Sequence, residues 1–585
     1  MKELFDFREK NYGSSGKVVS LQEAVSRSIA PGKKLHLSTG PYGNAVVREI
    51  IRQFWNTDPG FTVISSGIVT PFEVALACGG LVKKALTTNH SYTYPTPKPI
   101  PLLQKMEKEG RLDIENWSLY ALEQRLMAGA MGVGFMPTKS LMGTSLGEEN
   151  HEAFTVIPDP FDAGKKIGCV KALVPDVSIL HGCVADHEGN VILSPPYFAG
   201  LWGARACRDG VIATVEKIVS TDFIRQHSAL VKIPAHLVKF VCQVPFGSHP
   251  QGLAAESIGI EEGYGEDYDF ICQFVAESQD AQQLEKWVRT WILQCPTHED
   301  YLRKVGPGRL LTLRGKSRFD AWRYEAPQIV SGPDVPGDFN GTEMMIVAAA
   351  REIRDTVMQK GYQTILTGIG SPGLAAWLAF YLLKQAGNPV TLLTGFGQVG
   401  YVPQPGDPFL LSQSNVMTCT MLTDTVEVYG TLVGGAHNRC LSVLGTAQID
   451  QFGNINTVRI DGAQLIGVGG AGDAVNARET LVVAKQSAGR FLEKLQFVSC
   501  SGKSVGKLVT DLGVFSKSAD GQPFTLIKYF QNPSPDGREE QLVQIRKKCG
   551  WPIKTADALE EVLWPTSEEL YLLRALDPKG SFTGK

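Results

Sequence analysis

The sequence predicts an α/β protein of two similar open α/β domains with mostly parallel sheets, and three observations carry that expectation. Its 585 residues are too many for one hydrophobic core. Short apolar runs at residues 61–65, 210–214, 390–393 and 465–468 alternate with longer helical patterns, as in parallel sheets with crossover helices. The chain also repeats its own plan, once in each half.

In the first half an apolar run at 34–38 leads through Gly40-Pro41-Tyr42-Gly43 into a helical pattern over 44–55. In the second, a run at 363–367 leads through a loop at 368–373 into a helical pattern over 374–384. A closer repeat follows. Val177-Ser178-Ile179-Leu180 runs to Asp186-His187-Glu188-Gly189-Asn190, and Leu441-Ser442-Val443-Leu444 runs to Asp450-Gln451-Phe452-Gly453-Asn454. Each predicts a buried strand entering a tight turn, where Gly takes positive φ and Asp and Asn bond the nearby backbone. The stretch 306–340 is rich in Gly, Pro and charge. The expected division is therefore 1–305 and 341–585, joined by a linker at 306–340.

Hydrophobic content of 43% and charged content of 20% are those of an ordinary globular protein. A net charge of -3 gives no electrostatic reason to expect nucleic acid or an anionic membrane as partner. The most apolar run, 374–383, is about half the length of a membrane span and reads as a buried helix. Residues 1–17 are charged and broken by Gly13 and Gly16, unlike a secretory signal. The 11 cysteines are scattered, with no C-x-x-C pair and no Cys/His cluster at zinc spacing. Reduced thiols, a cytoplasmic location and no metal are the expectations.

Gly368-Ile369-Gly370-Ser371-Pro372-Gly373 fits G-x-G-x-x-G and opens a helix, which alone suggests a dinucleotide site. The acidic residue that such a site requires after the next strand is absent, since Leu392-Leu393-Thr394 stand there. Two further matches begin at Gly395 and Gly467, and the three loops are expected at the carboxyl edge of one sheet. Gly143-Thr144-Ser145-Leu146-Gly147 and Gly502-Lys503-Ser504-Val505-Gly506 match a nucleophile elbow, but neither follows a clear apolar strand.

The second half resembles the β half of family I CoA-transferases, especially the glutaconate type. The resemblance rests on the loop 368–373, on Leu392-Leu393-Thr394-Gly395-Phe396-Gly397-Gln398-Val399-Gly400, on the Asp450 turn with its preceding strand, on Gly467-Val468-Gly469-Gly470-Ala471-Gly472-Asp473, and on Leu570 to Pro578. The first half resembles the α partner through Ala128-Gly129-Ala130-Met131-Gly132, Phe135-Met136-Pro137-Thr138, Asp159-Pro160-Phe161, Val215-Glu216-Lys217-Ile218-Val219 and Pro245-Phe246-Gly247-Ser248-His249-Pro250. The resemblance implies two fused halves of the CoA-transferase fold, with acyl-CoA in a cleft between them and no permanently bound cofactor. Backbone N–H groups around Gly368, Gly370, Ser371, Gly373, Gly395 and Gly397 would hold an oxyanion, and Gly469, Gly470 and Asp473 would lie along CoA.

One departure matters. The family's nucleophilic glutamate opens a Glu-x-Gly-x-x-Gly pattern, and here Gly395 takes its place. Ordinary transfer through that position is unavailable to a residue without a side chain. Three readings stay open: hydrolysis or decarboxylation of a CoA ester, transfer through another carboxylate, or binding of CoA esters without turnover. Glu148, Glu149 and Glu152 are candidate replacement carboxylates, and His437 and Cys440 candidate acid–base or nucleophilic groups. Glu216, on an apolar strand, reads as a paired structural charge. The family's default activity is CoA transfer to a small carboxylic acid. A homo-oligomer is compatible with the sequence, but no residue pattern specifies one.

Overall fold

A computed structural model describes residues 16–260, 262–321, 323, 338–530 and 537–584. Two large sheets organise it. The first lobe contains β1 (Lys34–Leu37), β2 (Phe61–Ser65), β3 (Val82–Thr87), β4 (Asp113–Asn116), β5 (Val177–Asp186), β6 (Val191–Ile192), β7 (Val211–Val219), β8 (Val231–Ile233) and β9 (Val238–Gln243). Seven of these run parallel in the order β4-β3-β2-β1-β5-β7-β9, and β6 and β8 extend the sheet antiparallel from the far end of β5.

The second lobe contains β10 (Thr364–Thr367), β11 (Thr391–Leu393), β12 (Gln398–Val399), β13 (Met421–Leu422), β14 (Cys440–Leu444), β15 (Glu479–Val483), β16 (Val505–Val509), β17 (Gly513–Ser516), β18 (Thr525–Phe530) and β19 (Lys554–Val562). Its parallel centre is β11-β10-β14-β15-β16, with β12 and β13 antiparallel at one edge and β17 to β19 beyond the other. The five-strand order β2-β1-β5-β7-β9 thus recurs as β11-β10-β14-β15-β16. The repeat visible in the sequence is a repeat of topology.

The two Asp-x-x-Gly-Asn turns are alike down to their hydrogen bonds. Asp186 Oδ1 accepts from Gly189 N (2.9 Å) and Asn190 N (2.8 Å), and its Oδ2 from Asn190 Nδ2 (2.9 Å). Asp450 Oδ1 accepts from Asn454 N (3.0 Å) and its Oδ2 from Asn454 Nδ2 (2.9 Å). Gly189 has φ +97° with Val238 at 3.1 Å from where a Cβ would stand, and Gly453 has φ +84° with Val505 at 3.1 Å. Val238 opens β9 and Val505 opens β16, the matching strands. Replacing Asp186 or Asp450 by Ala is expected to cost about 1–3 kcal/mol each, because several backbone donors lose a charged acceptor. Calorimetry should show similarly lowered thermal midpoints for the two variants.

The helices that matter for the site are α1 (Asn44–Phe54), α2 (Leu119–Ala130), α3 (Leu201–Ala206), α4 (Pro307–Lys316), α5 (Gly341–Lys360), α6 (Ser371–Gln385) and α7 (Ser567–Leu576). Ser118 caps α2 by accepting from Ala121 N, and Asn340 and Glu343 form a capping box on α5. The run expected as a buried helix is α6, packed against α5 in the core of the second lobe. No helix among the described residues is long and apolar enough to cross a membrane. One apolar cluster crosses between the lobes, with Trp117, Leu119, Leu122 and Leu126 from the first and Leu366, Leu393, Val428 and Val433 from the second.

One expectation is corrected. The run 465–468 is not a strand but an extended loop that leaves its own lobe, with Ile466 O accepting from His90 N and Gly469 N donating to Thr88 O. Leu465 N and Ile466 N donate to Val458 O and Thr457 O of the same lobe while Ile466 O turns to the first lobe, so these groups are satisfied outside the main sheet. The third glycine loop therefore does not end a strand beside the other two. The stretch 306–340 begins with the regular helix α4, whose Leu313 is buried, and residues 324–337 of it lie outside the described residues.

Candidate active site between the lobes

The loops after β10 and β11 form adjacent turns at one sheet edge. Gly368 lies where a side chain would meet Val443 O at 2.6 Å, and Gly373 where one would meet Gly368 O at 2.6 Å. Gly370 has φ +86°, and Ser371 begins α6. The next turn is the return from β11 to β12. Thr394 N donates to Gln398 O (3.0 Å), the Thr394 hydroxyl accepts from Phe396 N and Gln398 N, and Gly397 sits at φ +99° against the Thr423 carbonyl. The Gly395 carbonyl accepts from Thr425 Oγ1 at 3.0 Å.

The space beside Gly395 is filled from another element. A helical turn, Thr425–Glu427, continues into a π-helical turn, Val428–Val433, that carries Tyr429 inward. The Tyr429 hydroxyl lies where a Cβ on Gly395 would be, and equally where one on Gly470 would be. The two glycines and the phenol form one unit. Burial raises the Tyr429 hydroxyl above its ordinary pKa, with the Asp473 charge adding to the rise.

The first lobe closes this site through α2. Leu119 N donates to Gly469 O (2.9 Å), and Asp473 accepts from Ser118 Oγ (2.7 Å), Ser140 Oγ (2.5 Å) and Tyr120 N (2.8 Å). Asp473 is buried, which moves its carboxyl up to about 6 against the lowering by those donors. Both its oxygens serve the contact between the lobes. The Tyr120 hydroxyl sits against Gly430, where a Cβ would be 2.6 Å away. Of the expected CoA-side residues, Gly470 faces Tyr429, while Gly469 and Asp473 are held by α2 and its N-cap.

One helical turn beyond Leu119 stands Glu123, 1% exposed. Neither of its oxygens has a hydrogen-bond partner. Burial pushes its carboxyl up to about 8, and the charge of Asp424 adds to this. Asp424 is the residue before Thr425, and it also raises Tyr120. Around the same junction other buried polar atoms lack partners: Ser38 Oγ, Thr39 Oγ1, Trp202 Nε1 and both ends of the Gln398 amide. The segment between Phe198 and Trp202 ties them together. Ala199 bridges to Thr39, Gly200 lies against Ser38 Oγ, Phe198 bridges to Asp424, and its ring is 5.0 Å from that of Phe396.

The sequence-derived candidates are spread differently. Glu148, Glu149 and Glu152 are exposed, and Glu149 pairs with Arg459 at 2.8 Å. His437 is exposed in the turn before β14, whereas Cys440 is enclosed at the start of that strand, where burial lifts its thiol to about 11. The structure does not bring Glu149, His437 and Cys440 together at Gly395. Glu216 accepts from His181 Nε2 (2.9 Å) and Phe246 N (2.8 Å), as a paired structural charge does. Ser145 Oγ accepts from Val498 N, and Ser504 Oγ donates to Val475 O, so both elbow-like serines are engaged with backbone. No cluster of metal-ligand residues occurs among the described residues.

Tyr120, Glu123 and Tyr429 were not singled out by the sequence pattern. Glu123 had a legible signal: it shares the apolar face of α2 with Leu119, Leu122 and Leu126, where a charge is out of place. Tyr429 had none, since its role depends on a π turn. A second feature, a cleft of about 520 Å³ between the lobes, begins where the chain leaves β12 and is lined by Tyr94, Tyr268, Lys316, Arg318, Asp407 and Lys579.

Two α/β sheets of one topology meet over glycine turns, and the comparisons with known proteins find the same architecture. The coenzyme A transferase family profile matches residues 18–243. A glutaconate CoA-transferase polypeptide of Acidaminococcus fermentans is 25% identical over 51% of this chain and 94% of its own length. A 3-oxoadipate CoA-transferase polypeptide of Pseudomonas knackmussii is 29% identical over 41% of this chain and 94% of its own. An acyl-CoA transferase of E. coli O157:H7, solved as a thioester complex with CoA, superposes with a TM-score of 0.62 over 96% of each chain at 16% identity, which establishes the fold. The chain is similar to CoA-transferases: the family profile covers residues 18–243, and the two relatives named each match about half of the chain or less.

Proposed function

We propose that this chain is an acyl-CoA-processing enzyme that works without a glutamyl-CoA ester at position 395, as a hydrolase or decarboxylase of a CoA ester. The observation that carries this reading is the Tyr429 hydroxyl occupying the space beside Gly395. A carboxylate there would have nowhere to stand. What remains are the glycine turns and nearby protein acids, a setting that in this reading polarises a thioester carbonyl rather than esterifying it.

The units are 1–305, of α type, and 341–585, of β type, joined by 306–340. Gly368, Gly370, Ser371, Gly373, Gly395 and Gly397 would frame the oxyanion position, and Gly469, Gly470 and Asp473 belong to the segment that would lie along CoA. CoA esters are substrate, and no permanent cofactor is invoked. The cationic Lys316, Arg318 and Lys579 line the second feature, the cleft beyond β12, and suit the phosphates of CoA. CoA chemistry and eleven cysteines scattered singly along the chain fit the cytoplasm.

The test is mass spectrometry of dicarboxylyl- and enoyl-CoA esters incubated with the protein, with and without acetate. Free CoA, a ring-opened product or loss of CO2 without acetate is the expected result. Acetyl-CoA formed only when acetate is present would overturn this reading and establish transfer through another carboxylate. CoA-ester affinity with no product in any mixture would make the chain a binding protein.

A further inference from the structure

Most buried carboxyls in this fold are paired. Glu73 is held by Thr70 N, Val69 N and the Ser65 hydroxyl, Asp473 by three donors, Asp267 by His249 and Arg309, Glu343 by Arg574 and Glu352 by Lys507. Among the described residues Glu123 alone has both carboxyl oxygens buried and without a partner. A carboxyl in that condition costs stability, so a structural role does not account for it.

Its place supplies another account. Helix α2, which carries it, also carries Leu119 and Tyr120, the two residues whose N–H groups bond the Gly469–Asp473 segment. The charge that acts on it, Asp424, stands between the Gly397 turn and Thr425, which holds the Gly395 carbonyl. The unpaired groups of Ser38, Thr39, Trp202 and Gln398 surround the same junction. Several of the unpartnered buried polar atoms among the described residues thus stand where the glycine turns of both lobes meet.

We propose that Glu123 is a catalytic residue at this junction of the lobes, the proton carrier that hydrogen-bonds a bound acyl-thioester and exchanges a proton with its α-carbon. The inference rests on the reading of the chain as an acyl-CoA enzyme. In the step, the Glu123 carboxylate takes a proton from the α-carbon and the C–H electron pair becomes the enolate. Backbone N–H groups of the glycine turns hold the enolate oxygen. Return of the proton to carbon restores thioester and carboxylate, and no oxidant or further reactant enters. Burial lifts the Glu123 carboxyl to about 8, so it must lose its proton before it acts as base, and the unpaired carboxylate then formed is correspondingly basic.

The experiment compares wild type with Glu123→Gln and Glu123→Leu. Propionyl-, butyryl- and glutaryl-CoA are incubated in D2O and α-deuterium is read by mass spectrometry, beside turnover of whichever CoA ester the wild type consumes. Both variants are expected to lose exchange and turnover by about 10²-fold or more. Their affinity for CoA, read by calorimetry, should change by less than about threefold, and the thermal midpoint of Glu123→Leu should rise. Exchange and turnover at wild-type rates in Glu123→Gln would overturn the proposal while leaving the acyl-CoA reading intact. A lowered midpoint in Glu123→Leu with unchanged chemistry would show a structural role instead. A wild type inert toward every CoA ester would remove the acyl-CoA reading, and this proposal with it.

Discussion

Gly395→Glu alone is expected to weaken the fold and to form no covalent intermediate, although it restores the residue that the family uses. The first side-chain carbon would overlap the Tyr429 hydroxyl, and the same hydroxyl is already pressed against Gly470. Tyr429 must then swing out of a core that includes Val428, Val433 and Ala474, an overpacking that costs about 1–3 kcal/mol or more. The pair Gly395→Glu with Tyr429→Ala should behave differently, because the lost ring leaves room for the carboxylate. There the carboxylate can attack the thioester carbonyl, expel the CoA thiolate into a mixed anhydride, and be captured by that thiolate as a glutamyl-CoA thioester while the free acid leaves. Intact-protein mass spectrometry after incubation with acyl-CoA would show the CoA adduct in the pair and not in Gly395→Glu. A stable single variant that carries the adduct would sink the argument that Tyr429 closes the position.

That argument marks the limit of what the sequence discloses. The two-lobed α/β fold was legible because its signals are local: apolar runs bounded by glycine turns, and two Asp-x-x-Gly-Asn turns whose hydrogen bonds close within five residues. The absence of the glutamate at position 395 was equally visible. What fills its place was not, because Tyr429 reaches Gly395 from a different element, on a π turn that no periodicity announces. The run 465–468 was misread for the same kind of reason. It is as apolar as a strand, yet its backbone is shared between Thr457 and Val458 of its own lobe and His90 of the other. Glutamates near the Ser145 loop attracted attention as acids beside glycines, whereas Glu123 was hidden among leucines, where only burial gives it meaning.

Stability is expected to decline as pH rises from about 6.5 to 8.5, with Glu123 among the causes. Burial lifts the carboxyls of Glu73 and Glu266 to about 7 and that of Glu123 to about 8, all above the ordinary carboxylate value near 4. The folded chain therefore holds protons that the unfolded chain has already released. The stability due to these groups is complete below the unfolded pKa and is lost as pH rises through the folded values. Three buried imidazoles act with opposite sign at lower pH. Burial depresses His36 and His90 to about 4 and His298 to about 3, so folding is opposed as pH falls below about 6.5, where the unfolded chain takes up protons first. Asp267 adds to the acid side. Burial raises it, but the bonds from His249 and Arg309 prevail and bring it to about 2, so its contribution disappears only as pH falls through that value. Above pH 6.5 the imidazoles are neutral in both states, and the carboxyls are left to set the slope. Thermal midpoints measured from pH 6.5 to 8.5 should fall in the wild type and fall less in Glu123→Gln, which removes the carboxyl with the highest of these values. Parallel curves for the two proteins would mean that Glu123 is already ionised in the folded chain at neutral pH, and that a positive charge or a solvent path compensates it.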